Sequence, residues 1–464
     1  MKQRTIALLL AGALALSLLG AGARAAEGDL ADVPGEQAEE TAGAEETAGL
    51  PGETGESEEA QSAPPEESGE DPETPVEEYI PDSIGSISFA NLNRRMHESN
   101  LQVLSIQESI DMLEEIDYDD LKEDLRLQLN EIAKAQWSMV TSSNQLIGVV
   151  MSEYEYRSAY DQLAGAYSAL RKQFDAIKDG EMQEDNADTV RQLKNLQNQI
   201  IMAGEATYIA LAAMELQENG LDRQLSALDR QITELELRYE LGHISSLTLQ
   251  QAQSGRAALS SGLSTLRMNL DTYKGQLEML LGADITGKIS LGALPKVTRQ
   301  ELASMDLERD LETAKANSWS LYEATETMKD AQQTYKDHGG DFYYNNYAHK
   351  RKDLAFMQAR HNWYAAKYTY DNTVQSFELS LRSLYLKVQD YKQILDAAKT
   401  ALAVEQDNYA AAQLKQSQGN LSLNGLLEAK DKLTEAGEKV AGAENDLFSA
   451  YNTYRWAVDY GIMN

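Results

Sequence analysis

The stretch that decides the fold runs from Tyr239 to Gly282 and reads YELGHISSLTLQQAQSGRAALSSGLSTLRMNLDTYKGQLEMLLG. Its apolar residues recur at alternating intervals of three and four, which is typical of a heptad seam on a long helix. They are Leu249, Ala252, Leu259, Leu263, Leu266, Leu270, Tyr273, Leu277 and Leu280. The same spacing occurs upstream, at Leu221, Leu225, Leu228, Ile232, Leu235 and Tyr239. The pattern predicts two long helices separated by a short break.

The break between the two seams is Leu241-Gly242-His243-Ile244-Ser245-Ser246. Glycine tolerates the left-handed conformation in which many helices end, so Gly242 can terminate the first helix. A serine side chain can accept hydrogen bonds from the free N–H groups of a first helical turn, so Ser245 or Ser246 can begin the second. The sequence therefore predicts the turn of a long antiparallel helical hairpin.

A second copy of this pattern lies near the C-terminus. Gly419-Asn420-Leu421-Ser422 precedes a heptad seam in which large and small residues alternate. The large ones are Leu426, Leu433, Val440, Leu447 and Tyr454, and the small ones, which permit close helix approach, are Ala429, Ala436, Ala443, Ala450 and Ala457. When Gly242 is aligned with Gly419, the two heptads come into phase. We therefore predict an internal repeat of long helical hairpins.

The first turn also carries a family resemblance. The pattern R-Y-x-x-G-x-x-S, followed by a Leu/Ala/Gln-rich helix and a closing Leu-Gly, resembles the TolC-type outer-membrane efflux proteins; it stands here as Arg238, Tyr239, Gly242, Ser245, 250–253 and Leu281-Gly282. The segments 96–101 and 314–319 resemble the A-L-x-N-N-P start of each half in that family, although both lack the proline. The resemblance covers residues 84–464.

The resemblance implies a fold, an assembly and partners. The family has two tandem halves, and its trimer would take four helical strands from each protomer to form a twelve-strand tunnel. Its tips receive a membrane-fusion adaptor attached to an inner-membrane pump. Carried over by position, the tip residues are Leu241, Gly242, Ile244, Ser245, Gly419, Leu421 and Ser422. The family usually has Asp six residues after the glycine, whereas Thr248 and Gly425 stand here. A capping contact is therefore lost or supplied by the serines.

The membrane strands of the family have no counterpart that the sequence reveals. Such strands need about 9 to 11 alternating residues each. Residues 145–151 group their apolar side chains without alternation, and residues 339–347 offer a turn with aromatics. We therefore expect a version of the family without these strands. An outer-membrane location follows from the resemblance alone, and membrane insertion stays open.

Composition excludes several classes of function. The net charge is −34, and residues 27–82 hold 20 Asp and Glu with no Lys or Arg, which argues against nucleic-acid binding. The chain has no cysteine, so disulfides and thiolate metal sites are excluded. Its five histidines show no metal-binding spacing, and no nucleophile or phosphate-loop motif occurs. We expect no enzyme activity, no cofactor and no metal.

The chain divides into five segments. Residues 1–25 have the charged start, apolar run and small-residue cleavage site of a secretory signal, and the acidic, proline-rich residues 26–83 should be a disordered linker. The first helical half is 84–284, the inter-half linker 285–298, and the second half 299–464. Pro295 is the one proline after residue 84, so almost everything there should be helix. Predicted helix breaks are 117–120, 178–188, 242–246, 337–341 and 417–422.

The sequence thus predicts an all-α protein of long antiparallel helical hairpins in two tandem halves, of the coiled-coil or α-barrel type, preceded by a disordered acidic linker. The function that the resemblance implies is an efflux or export duct of the cell envelope. The alternative is an exported structural coiled-coil protein that spaces or links envelope layers and conducts nothing.

Overall fold

The computed structural model describes residues 81–147, 149–344 and 349–463. The signal segment and nearly all of the acidic linker lie outside the described residues. Over the described part of the chain there are twelve helices and two strands of two residues each. The all-α prediction is confirmed.

The first half contains seven of these helices. Their bounds are α1 Phe89–Ser99, α2 Leu101–Glu114, α3 Tyr118–Thr141, α4 Ser143–Leu146, α5 Glu153–Lys178, α6 Glu181–Glu240 and α7 Ser246–Leu280. The second half contains α8 Arg299–Ser304, α9 Leu307–Asn317, α10 Trp319–Tyr344, α11 His349–Ser417 and α12 Leu423–Tyr460. At 1.5 Å per residue, α6 is about 90 Å long and α11 about 100 Å.

Polar side chains set where most helices begin. Asn100 accepts hydrogen bonds from the N–H groups of α2, and its amide donates to the Leu280 carbonyl at 2.7 Å, which joins the start of the half to its end. Asp117 caps α3, and Ser152 forms a reciprocal capping box at α5.

The predicted break at 337–341 is wrong, because α10 continues to Tyr344. A glycine in a helix costs about 1 kcal/mol, which packing of α10 against α11 outweighs.

The two strands pair with each other. Strand β1, Ser86–Ile87, lies parallel to β2, Ser290–Leu291, in the inter-half linker. The buried Tyr208 hydroxyl donates to the Gly292 carbonyl at 2.7 Å and lies 3.1 Å from the Ile87 carbonyl oxygen. Burial raises the pKa of Tyr208 to about 12. Its hydroxyl therefore stays protonated and holds the chain entry and the inter-half linker against α6.

In the segment where the family would place membrane strands, Gln145 and Leu146 end α4, and Val149 and Val150 form a turn. The Leu146 carbonyl accepts from the N–H groups of Val150 and Met151, both at 3.0 Å. The corresponding segment of the second half, 339–347, is helical up to Tyr344, and its remainder lies outside the described residues. No helix in the described part of the chain combines the length and the apolar character needed to cross a membrane.

The long helices pack side by side in the order α7, α6, α12, α11, each antiparallel to its neighbour. One core lies where α1, α2 and α7 meet α6, and a second where α9, α11 and α12 meet. The alanines Ala436, Ala443, Ala450 and Ala457 are buried, as their small size allows.

The two halves close in the same way, which supports the internal repeat. Gly282 follows α7 with φ 62°, and a Cβ there would lie 2.2 Å from the Ser99 carbonyl oxygen at the opening of the first half. Gly461 follows α12 with φ 64°, and a Cβ there would lie 2.3 Å from Ser318 Cα at the opening of the second. Both positions therefore require glycine. The segments 96–101 and 314–319, which the sequence pairs as the starts of the two halves, therefore occupy equivalent places in the two halves.

Candidate functional site

The first hairpin tip is built as the sequence predicts. Gly242 has φ 76°, and its N–H donates to the Tyr239 carbonyl at 2.9 Å. The N–H of His243 donates to the Arg238 carbonyl at 2.8 Å, which completes a Schellman motif at the end of α6. Ser245 caps α7, since its Oγ accepts from the Thr248 N–H at 3.3 Å. The chain therefore reverses within five residues and satisfies the terminal carbonyl groups of α6.

The second tip repeats this geometry. Gly419 has φ 76°, and its N–H donates to the Gln416 carbonyl at 2.9 Å. The N–H of Asn420 donates to the Lys415 carbonyl at 2.8 Å, and Ser422 Oγ accepts from the Gly425 N–H at 3.1 Å. The two turns thus share one backbone conformation and one capping pattern.

Thr248 and Gly425 stand where the family usually has aspartate, and Ser245 and Ser422 cap the two helices. At the second tip there is also a steric reason for its absence. A Cβ at position 425 would lie 2.7 Å from Leu421 Cδ1, so a side chain there would displace Leu421. At the first tip Thr248 Oγ1 lies 3.1 Å from Ser245 Oγ and adds a side-chain contact. In both tips a serine hydroxyl therefore accepts from the N–H of the third residue of the following helix.

The tips lie beside each other because α6 and α12 are adjacent and antiparallel. Asn424, near the second tip, donates to Glu234 Oε2 at 3.2 Å, and Arg230 pairs with Asp431 one to two turns further along. At the tips themselves Leu241 and Leu423 are 61% and 63% exposed. All the sequence-predicted site residues therefore belong to one end of the helical layer.

The predicted tip residues differ in exposure. Leu241, Gly242, Ser245, Gly419 and Ser422 are exposed, whereas Ile244 and Leu421, which occupy equivalent positions, are half-buried and pack into their turns. Ideal Cβ atoms at Gly242 and Gly419 meet nothing within 4 Å. The surface at this end is therefore open, with exposed leucines among polar residues and with the exposed charges of Glu240 and Lys415 beside the two turns. No group of His, Asp or Glu in the described part of the chain is arranged to hold a metal ion.

The contacts that join the two halves were not predicted from the sequence. Arg223 on α6 makes a bidentate ion pair with Glu438 on α12, at 3.0 to 3.1 Å, with both side chains largely buried. Glu205, also buried, accepts from Trp456 Nε1 at 2.6 Å and from Asn452 Nδ2 at 2.8 Å. These partners are more than 200 residues apart, so no local pattern marks them. They fix the register of α6 against α12 and so place the tips level.

The sequence matches no family model and no curated protein. Among solved structures, the chain is similar to the CmeC outer membrane channel of Campylobacter jejuni, with 13% identity, a TM-score of 0.49, and coverage of 64% of this chain and 69% of that one. It is similar to the outer membrane protein VceC of Vibrio cholerae, with 12% identity, a TM-score of 0.47, and coverage of 80% and 96%. It is similar to the MtrE outer membrane channel of Neisseria gonorrhoeae, with 12% identity, a TM-score of 0.40, and coverage of 81% and 89%.

The two halves share their openings, their Gly-Ser tips and their closing glycines, which is the arrangement that the sequence resemblance implies. The fold is all-α, with long antiparallel helical hairpins in two tandem halves. What this chain does at its tips must follow from its own residues.

Proposed function

We propose that this protein is one protomer of a helical export duct of the cell envelope, which docks through its hairpin tips with a membrane-fusion adaptor of a transporter. The observation that carries the proposal is the pair of matching turns at Gly242 and Gly419, set side by side at one end of the α7–α6–α12–α11 layer. A coiled-coil spacer does not need two equivalent tips. A ring of tips that binds several copies of a partner does need equivalent tips.

The edges of the four-helix layer support ring closure. On α11, Leu381, Val388 and Leu395 are buried against α12. The outward face of the same helix exposes Leu379, Leu386 and Val404, which are 71%, 65% and 54% exposed. Exposure of such an apolar stripe to water is unfavourable, so a neighbouring copy of the chain would cover it.

The opposite edge of the layer offers a complementary surface. The outward face of α7 is uncharged and carries small or short polar residues: Gln251, Gly255, Ala258, Gly262, Thr265 and Asn269, all exposed. An α7-to-α11 contact is heterologous, so it closes into a ring if the rotation between copies fits. Three copies would give the twelve helical strands of the tunnel, and we propose a homotrimer.

The tip surface suits an adaptor's helical hairpin. Leu241, Leu247 and Leu423 are exposed apolar side chains, and the exposed Glu240 and Lys415 lie at the margin of this surface. Apolar contact with a polar rim is the usual composition of a docking patch. An adaptor attached to an inner-membrane pump would thus bind at the end where both turns lie. Export itself would depend on the signal segment at 1–25, and the linker at 26–83 would serve as a tether.

The experiment uses Gly242→Glu and Gly419→Glu in cells that make the protein. Each change puts a side chain on a positive-φ backbone, which costs about 1 kcal/mol and is too little to unfold helices of this length. A photocrosslinker at Leu241 would report adaptor contact, and accumulation of a fluorescent dye would report efflux. We expect normal export, helicity and oligomeric state, with crosslinking and efflux lost.

The matched control is Gln276→Glu, which adds the same charge on the exposed face of α7 away from the tips. It should leave crosslinking and efflux unchanged. If both glycine variants keep adaptor crosslinking and efflux, the tips are only turns and the duct proposal fails. If deletion of the protein changes the spacing of envelope layers but not dye accumulation, the structural spacer is the correct function.

A further inference from the structure

The outward face of α11 stays apolar beyond Leu386, in the part of the helix farther from the tips. Tyr368 lies 18 residues before Leu386, which is five full helical turns, so the two side chains share one face. Exposed residues continue at intervals of three and four, as in a heptad seam, and they are Leu354, Met357, His361, Tyr364 and Tyr368. Leu354 and Tyr368 are 61% and 68% exposed. This segment, 354–368, is called the upper seam, and its continuous exposure marks a surface for another helix.

The upper seam lies in a basic part of an acidic chain. Residues 350–367 hold five Lys and Arg and one Asp, although the net charge of the protein is −34. Lys367 is exposed and forms no ion pair within the described part of the chain. The Nε of Arg360 is buried and has no hydrogen-bond acceptor there. A partner with exposed carboxylates would therefore fit the flanks of the upper seam.

A second exposed surface of the protein carries the opposite charge. Residues 108–124, which include the end of α2 and the start of α3, hold nine Asp and Glu and one Lys, and they are called the acidic edge. Four of these carboxylates are exposed and have no ion-pair partner among the described residues: Glu108, Glu115, Asp120 and Asp124. Among them Met112 and Leu121 are 63% and 37% exposed. The acidic edge therefore combines apolar side chains with a charged rim.

The helices α2 and α3 extend the edge of the layer that α7 forms. The Asn100 amide donates to the Leu280 carbonyl at 2.7 Å, where α7 ends and α2 begins. The helix α2 then continues beside α6, since Gln197 of α6 donates to the Val103 carbonyl at 3.1 Å. One edge of the layer is therefore α11, and the other is α7 followed by α2 and α3.

The upper seam and the acidic edge lie at the same height along the long helices. A level shared by α6, α12 and α11 is marked by two contacts, Glu205 with Trp456 and Tyr454 with Tyr385. From that level, away from the tips, Tyr364 lies 21 residues along α11 and Asn186 lies 19 residues along α6, about 30 Å in each case. Asn186 donates to the Tyr118 hydroxyl at the start of α3 at 2.7 Å. Tyr364 is therefore level with the start of α3.

We propose that the upper seam docks onto the acidic edge of a second copy of the chain, with apolar contacts at the centre and ion pairs at the rim. This inference rests on the ring of the proposed function, because rotation about an axis along the helices brings α11 of one copy beside the other edge of the next without changing heights. A copy of this chain is the occupant because it presents the complementary charge, exposed apolar side chains and the matching height. Such charge pairing fixes the register of the copies and selects the partner.

The test is cysteine crosslinking of the full-length chain in cells that make it. The chain has no cysteine, so an introduced pair reports a single contact. Two differently tagged chains are made together, one with Tyr364→Cys and one with Leu121→Cys, and are oxidised with copper phenanthroline. The yield of linked dimer should be at least tenfold higher than with Tyr364→Cys and Trp137→Cys. Trp137 is 70% exposed but lies 16 residues farther along α3 than Leu121, about 24 Å away.

Charge reversal tests the rim of the contact. Lys367→Glu should lower the yield of the Tyr364–Leu121 crosslink about tenfold, because it places a carboxylate against the acidic edge. Glu115→Lys in the partner chain should restore the yield, since Lys367 and Glu115 lie at nearly the same height. The matched control is Lys392→Glu on the same flank of α11, seven turns closer to the tips and beside α7, which should leave the yield unchanged.

A third cysteine pair separates this inference from the ring itself. Val404→Cys with Gly262→Cys reports the contact between α11 and α7. If this pair crosslinks while the Tyr364 pair does no better than its Trp137 control, the ring stands and the docking of the upper seam is wrong. If no pair crosslinks and the chain is monomeric, the homotrimer fails and this inference fails with it. An unchanged yield in Lys367→Glu, with all variants equally helical by circular dichroism, would overturn the pairing of charges.

Discussion

The buried carboxylate of Glu278 anchors the inter-half linker. It is 3% exposed and lies near the end of α7. It accepts hydrogen bonds from Thr286 Oγ1 at 2.7 Å and from the N–H groups of Gly287, Lys288 and Ile289 at 2.6, 3.1 and 3.1 Å, as well as from the Thr286 N–H. Burial by itself raises the pKa of Glu278, but these donors outweigh it and lower the pKa to about 2.

The lowered pKa gives the free energy by which the ionised Glu278 carboxylate stabilises the folded linker. The gap between the ordinary pKa of 4.5 and about 2 corresponds to about 3.5 kcal/mol, at about 1.4 kcal/mol per pKa unit. Because the folded pKa lies below the unfolded one, this stabilisation is complete above about pH 4.5 and is lost as the pH falls toward 2. Glu278→Gln removes the charge and turns an amide group toward N–H donors, so it should forfeit a similar amount at neutral pH.

The assay is hydrogen exchange of the amides at 286–289, each compared with its rate in an unstructured peptide. In Glu278→Gln these amides should exchange about 300-fold faster at pH 7, since about 3.5 kcal/mol is about two and a half factors of ten. Wild type should lose protection between pH 4.5 and 2. Glu312→Gln, the same change at an exposed position on α9, should have no effect. Unchanged protection in Glu278→Gln would show that the backbone conformation holds the linker without the carboxylate.

Two further changes test contacts that organise the second half and join it to the first. Tyr454→Phe removes a hydroxyl that donates to the buried carboxylate of Asp310 at 2.7 Å, so unfolding by urea should show a loss of about 1 to 3 kcal/mol; a loss below about 0.5 kcal/mol would mean that other donors suffice. A double-mutant cycle with Arg223→Met and Glu438→Gln should give a coupling of about 1 kcal/mol or more, because the pair is bidentate and largely buried; purely additive effects would contradict its role between the halves.

The sequence predicted the hairpin tips well because their causes are local. A left-handed glycine, a serine cap and a heptad seam each depend on a few neighbouring residues, and the structure has all three at both tips. The break at 337–341 was predicted on the same local grounds and was wrong, because Tyr335 stacks on Trp363 at 5.2 Å and α10 packs against α11 as a continuous helix. A glycine penalty of about 1 kcal/mol per residue is smaller than such packing contributes.

By itself, the sequence determined that this chain is a tandem repeat of long helical hairpins that reverse at Gly242 and Gly419, because periodicity and backbone strain act over short distances. Only the tertiary structure decided which seam packs on which. A heptad seam fits many partners, and the choice of α6 against α12 depends on Glu205 with Trp456 and Arg223 with Glu438, which lie 251 and 215 residues apart. Such distant pairs produce no periodic pattern in the sequence. Their interaction energy stabilises the fold only once the whole four-helix layer has formed.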